Sequence, residues 1–331
     1  MFTPAEALDL LGRTAGAGRV AAEPADCARL ADQLADEHAR LDVLRTGDLA
    51  VRSSLAASYR TLDEPERRAF ELLGELDVPD IAAWVAAPLL DVPAVVAEER
   101  LERLVESRLL EVSGSGPVRY RFHDLVRAYA SELAAGRHDV GAARGRAFEA
   151  WLALAEAASG RLPGGFRQVT AGSATRWTGW TDAEADALLA DPVAWCEAER
   201  PALVAVVRQA AAIGWDELAW DLACTLGRFF ELREHLEDWR TTHEDALRAC
   251  RAAGNRRGEA YVLRALGEMY LNADKLDEAL ACFAPALSTM VQLADRQGQA
   301  LVLRAQGSRP GRVNRPGRPG RAGRQPGQRA V

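Results

Sequence analysis

The segment GEAYVLRALG at 258–267 returns forty residues later as GQALVLRAQG at 298–307, and seven of the ten positions are identical. A fixed period of this length belongs to stacked helical units, none of which can bury its apolar face alone. Forty residues before Gly267 and Tyr270 stand Leu226-Gly227 and Phe230, so the period extends back toward residue 226.

Within the central copy, Leu263, Leu266, Gly267, Tyr270, Ala279, Phe283 and Ala286 follow the small/large alternation of a tetratricopeptide helix pair. Small residues at 267 and 279 let two helices approach, while Tyr270 and Phe283 fill the space between neighbouring pairs. One departure is that Val291 stands where that pattern has a late Pro. After Gly307 the period stops. The stretch SRPGRVNRPGRPGRAGRQPGQRAV has four Pro, seven Arg and no apolar period, and predicts a disordered tail over 308–331. The loss of the repeat in mid-helix leads us to expect a change of reading frame or a truncation as its origin.

Composition agrees with helices. At 6% aromatic, with 64 Ala, the cores must be built from Leu, Val and Ala, which favours close-packed helices over a β-sandwich. The net charge is −7, but the Arg-rich tail hides a body of −14 over residues 1–307. An acidic body argues against a whole-surface nucleic-acid binder. Five cysteines, Cys27, Cys196, Cys224, Cys250 and Cys282, form no CxxC pair, so neither disulfides nor zinc are expected. No apolar run is long enough for a membrane span, and a cytoplasmic location is the expectation.

The N-terminal half divides further. Residues 1–46 predict two helices, the first opened by Thr3-Pro4-Ala5-Glu6 and the second running from about Pro24 to Leu44. Residues 47–136 predict three helices: one starting between Asp63 and Glu66, one with Ile81, Trp84, Val85, Leu89 and Leu90, and one from Pro93 to Ser107. A hairpin of Leu109–Val112 and Val118–Phe122 follows, then a helix leaving from His123. Three helices and a hairpin are the parts of a winged helix. Residues 137–192 read as a loose connector containing a partly exposed loop at 161–180, and helices resume at Thr181. The expected fold is mainly α: a winged-helix domain with one β-hairpin, followed by an α-solenoid of tetratricopeptide-like pairs over 193–307.

The run from Gly47-Asp48-Leu49-Ala50-Val51-Arg52 through Ser58-Tyr59, Leu62 and RFHDLVRAYA at 121–130 resembles the winged helix of bacterial NB-ARC regulators, in particular the large SARP type. Trp195, Glu199-Arg200, Leu203-Val204, Phe229-Phe230, Asp238-Trp239, His243 and Ala246-Leu247 resemble the repeats that follow it there. The opening EALDLLGR…RVAAEP (6–24) is similar to the helical subdomain that precedes it, which makes 1–46 a remnant of that subdomain. The resemblance implies a STAND-type transcriptional regulator in which a His-Asp pair, here His123 and Asp124, senses the ADP bound by an upstream P-loop domain. A histidine before a helix N-terminus suits a phosphate, and it suits plain helix capping equally well.

The departures set expectations too. No GxxxxGK[ST] occurs, and the Gly-Leu-Pro nucleotide-sensing stretch of the family is missing after Leu34. The chain by itself is therefore expected to hold no cofactor and to hydrolyse no ATP, although the intact family uses ADP and ATP. Other chemistry is absent from the sequence. HEDAL at 243–247 lacks the second His of a zinc protease, and the acid pairs Glu98-Glu99 and Glu197/Glu199 read as solvated helix faces. No enzyme is expected. The expected partners are a protein or peptide on the repeats and an NB-ARC domain, with neither nucleic acid nor membrane. The alternative is DNA binding by the winged helix. Its recognition helix carries Glu98, Glu99, Glu102 and Glu106 against Arg100 and Arg103, leaving Arg119 and Arg121 on the wing to touch phosphate.

Overall fold

The computed structural model describes residues 48–113, 118–163 and 172–307. The helices expected in 1–46, the 114–116 turn and the 308–331 tail lie outside them. Thirteen helices and one small sheet make up the described part, a mainly helical protein.

The N-terminal unit runs α1 (Asp48–Thr61), α2 (Glu64–Gly74), β1 (Ile81–Ala82), α3 (Ala83–Leu90), α4 (Ala94–Glu106), β2 (Glu111–Ser113), β3 (Arg119–Arg121) and α5 (Asp124–Ala134). A capping box starts α2: Asp63 Oδ1 accepts from the Glu66 amide at 3.0 Å, and Glu66 Oε2 accepts from the Asp63 amide at 2.9 Å. Its far end buries Phe70, Leu72 and Leu73 completely. Gly74 allows α5 to come close, because a Cβ there would stand 2.5 Å from Ala130 Cβ. The sheet order is β1-β3-β2, antiparallel throughout, with Tyr120 paired to both Ile81 and Val112. Ile81 therefore does not open a helix, contrary to its apolar spacing with Trp84 and Val85. Pro79 disfavours helix at the preceding Val78, Ile81 joins the sheet, and the helix begins at Ala83.

The C-terminal array comprises α6 (Val140–Arg161), α7 (Asp182–Leu188), α8 (Pro192–Ala212), α9 (Asp216–Arg233), α10 (Leu236–Ala253), α11 (Arg256–Asn272), α12 (Leu276–Gln292) and α13 (Arg296–Gly307). Its backbone carries the period of forty. Gly214, Gly254 and Ala294 take left-handed φ of 79°, 70° and 54°, and Glu234 and Asp274 do so at 57° and 58°. Asn255 and Asp295 each accept from the amide three residues on, Gly258 and Gly298, at 2.8 Å. Helices α6, α9, α11 and α13 pack in succession, and α8, α10 and α12 each pack against the helix that follows. The period thus reaches the α8–α9 turn at Gly214, and α6 with α8 stands where a preceding pair would.

That placement corrects the expectation of a loose connector over 137–192. Residues 140–161 form one helix, α6, burying Phe148, Trp151, Leu152, Leu154 and five alanines. Because α3, α8 and α9 all pack on it, its apolar residues are spread around the helix and make no single stripe. Further along, Leu226, Gly227, Phe230, Leu263, Leu266, Gly267, Ala279, Phe283 and Ala286 are all buried, and Tyr270 is half-buried. A Cβ on Gly267 would meet the Phe283 ring at 2.5 Å, which fixes glycine at the α11–α12 crossing.

Candidate functional site

Among the described residues, two polar regions join separate parts of the fold, and the first is the joint between the N-terminal unit and the array. Arg119 on β3 gives its Nη1 to Glu199 Oε1 at 2.7 Å and its Nε to Asp80 at 2.5 Å. The second Glu199 oxygen accepts from Trp151 Nε1 at 3.0 Å. Glu199 is 2% exposed, so it is no solvated face residue, and Arg119 is committed to the joint and not offered to phosphate. Both expectations fail for one reason: 199 and 119 are eighty residues apart, and pairing across that distance leaves no local pattern. Nearby, Asp77 bridges Arg127 of α5 and Arg208 of α8, and Arg146 donates to the carbonyls of Pro88 and Leu89. Trp84 of α3 lies 5.5 Å from Trp151, 5.6 Å from Trp180 and 6.3 Å from Trp195, ring centre to ring centre.

The second region is a trough between α6 and α9, and part of the chain lies in it. Residues 172–180 have no helix or strand. Ser173 donates its amide and its hydroxyl to Glu217 Oε1, both at 2.7 Å. Arg176 reaches Glu156 of α6 at 3.0 Å and Asp221 of α9 at 2.8 Å. Its guanidinium also donates to the Ala174 carbonyl. Asp221 is fully buried, and that burial pushes its carboxyl up to about 6 in spite of Arg176. No local pattern in the sequence marks this site. Its acids come from two helices and its arginine from a third segment, and the one local hint was Arg176-Trp177 within a run of Gly and Thr.

The sequence-predicted pair stands elsewhere. His123 is the N-cap of α5, with Nδ1 accepting from the Leu125 amide at 3.4 Å, and both His123 and Asp124 are exposed. The structure gives His123 a capping role and leaves its ring open to solvent on the N-terminal unit. The four acids of α4, Glu98, Glu99, Glu102 and Glu106, are exposed together.

No protein-family model matches the chain, and no solved structure matches it. Regulatory protein AfsR of Streptomyces griseus is 34% identical over 335 residues, covering 91% of this chain and 34% of that protein. Regulatory protein AfsR of Streptomyces coelicolor is 35% identical over 257 residues, covering 76% of this chain and 25% of that protein. The chain is homologous to AfsR. It spans about a third or less of the length of the AfsR proteins it matches.

Among its described residues, the AfsR-like chain has few reactive side chains. Burial pushes the Cys196 and Cys250 thiols up to about 12, far from the thiolate range, and Cys224 is raised further. His243 is fully buried, with Nδ1 donating to the Trp239 carbonyl at 2.8 Å, and burial lowers its pKa to about 3. Among the described residues no group of three His, Cys, Asp or Glu could hold a metal ion, and no helix is long and apolar enough to cross a membrane.

Proposed function

We propose that this chain is a non-catalytic interaction module of an AfsR-like transcriptional regulator. In this reading the N-terminal unit is a winged helix and the array is a solenoid of tetratricopeptide-like pairs that receives a protein or peptide partner. His123 and Asp124 serve as the contact toward a nucleotide-holding NB-ARC domain. An exposed histidine at a helix N-terminus can donate to a phosphate oxygen, helped by the free amides of the first turn.

The observation that carries the proposal is the charge of the would-be DNA face. The exposed side of α4 is acidic, and Arg119, one of the two wing arginines, is paired into the joint with Glu199. A duplex would bring phosphates against carboxylates, with little to release the counterions that drive such binding. The joint suits a different task. Charge pairs and the tryptophan cluster tie the N-terminal unit to the array.

The test has two arms. A gel shift at low salt with residues 1–307 should show no sequence-dependent retention of duplex DNA; tight, selective retention would overturn the reading in favour of a DNA-binding regulator. Calorimetry with a separately supplied ADP-loaded NB-ARC domain should show binding that weakens in His123→Ala. Equal binding by the variant would remove the sensing role.

A further inference from the structure

The trough between α6 and α9 is lined with acid and already filled. Residues 172–180 lie in it as an extended strap, and their contacts are those of a ligand: Ser173 hydrogen-bonded through backbone and side chain, and one arginine shared by two carboxylates from different helices. The strap has glycine at its closest approach to α9 and again where it passes its own Trp177. A Cβ on Gly172 would stand 2.1 Å from the Asp221 carboxylate, and one on Gly179 would stand 2.2 Å from the Trp177 ring. At its far end the strap delivers Trp180 to Trp84 on α3, with Trp177 4.5 Å from Trp180. One segment therefore touches the array through Arg176 and the N-terminal unit through Trp180.

We infer that residues 172–180 are an internal stand-in for a partner, and that the α6–α9 trough binds an extended peptide presenting an arginine to Glu156 and Asp221. This inference deepens the interaction role proposed above and rests on it. Charge selects the partner. The trough offers the carboxylates of Glu156, Glu217 and Asp221, and Asp221 is buried, so a guanidinium is held with one N–H on a carboxylate from each helix, a fit that its rigid fork makes better than a lysine and that a neutral residue lacks. The tether sets the threshold. A segment joined to its own site acts at an effective concentration on the order of millimolar, so a free peptide of similar affinity cannot displace it at micromolar concentrations. A stronger or longer partner can, and its arrival withdraws Trp180 from Trp84. That is a second physical link from the array to the N-terminal unit, beside the Arg119–Glu199 joint.

The probe is a labelled synthetic peptide with the sequence of residues 172–182, added to the full chain. Wild type should show weak capture, because its own strap competes. Arg176→Glu, which sets the strap against three carboxylates, should bind the peptide at least tenfold more tightly, and hydrogen exchange across 172–181 should accelerate. The same peptide with its arginine changed to glutamate should not bind. Equal capture by wild type and variant, or equal binding of the two peptides, would overturn the inference. Gly172→Val provides a second route to release, since its side chain cannot fit beside Asp221, and it is read in the same way should Arg176→Glu unfold. Failure here leaves the interaction role standing, because that role is judged by the gel shift and the NB-ARC titration, neither of which involves the strap.

Discussion

The pairs α9/α10 and α11/α12 share one backbone and differ in what fills it. Their turns fall forty residues apart, with left-handed φ at 234 and 274 within the pairs and at 254 and 294 after them. Gly227 and Gly267 mark the same crossing. Yet Phe283, wholly buried against Gly267, has His243 as its counterpart in the first pair, and Tyr261, bonded to Asp295 at 3.0 Å, has Asp221. Asp221 meets the strap through Arg176, whereas His243 is satisfied within its own helix by the Trp239 carbonyl. Backbone spacing is thus held by turns and small residues, while the side chains within it follow whatever else lands on each pair.

The comparison can be broken most severely at Phe283. Replacing it with alanine empties the α11–α12 crossing and should cost about 3–5 kcal/mol in chemical denaturation, with the first pair unfolding as before. Loss below 1 kcal/mol would mean that the crossing is held by something other than this ring. Next comes the joint. Glu199→Ala leaves Arg119 with Asp80 alone and Trp151 without its acceptor, and should cost about 3 kcal/mol. Its far-ultraviolet spectrum should be unchanged, and protease should cut more readily between the N-terminal unit and the array.

His243 sharpens the contrast through pH. Its folded pKa lies near 3, below the unfolded value near 6.5, so the unfolded chain takes up the proton first as pH falls. The stability that neutral His243 provides is complete above about pH 6.5 and is lost on acidification toward pH 3, at roughly 1.4 kcal/mol per pH unit. His243→Asn should be less stable at pH 7 and should lack this component of the acid limb; parallel limbs in urea titrations would contradict the assignment. Asp221 has the opposite sign. Its raised pKa means the folded state holds the proton more tightly, so this group alone favours folding as pH drops through about 6.

The smallest effect tests the backbone. Ala294 holds the left-handed position that Gly214 and Gly254 occupy in the other copies. Ala294→Gly should relieve about 1 kcal/mol of strain and raise the thermal midpoint by a degree or more. A decrease would show that the period of forty does not impose the same turn three times.

The sequence alone determined the helical class, the period, the capping box at Asp63 and the acidic character of α4. Each of these is local or repeats at a fixed spacing, so propensity and periodicity carry it without tertiary help. Only the folded structure decided that α6 belongs to the array, that Ile81 is a strand, that Glu199 is buried against Arg119, and that Arg176 lies between Glu156 and Asp221. These outcomes depend on segments 20 to 80 residues apart meeting in space, and desolvation and charge pairing of that kind leave no trace in the order of neighbouring residues.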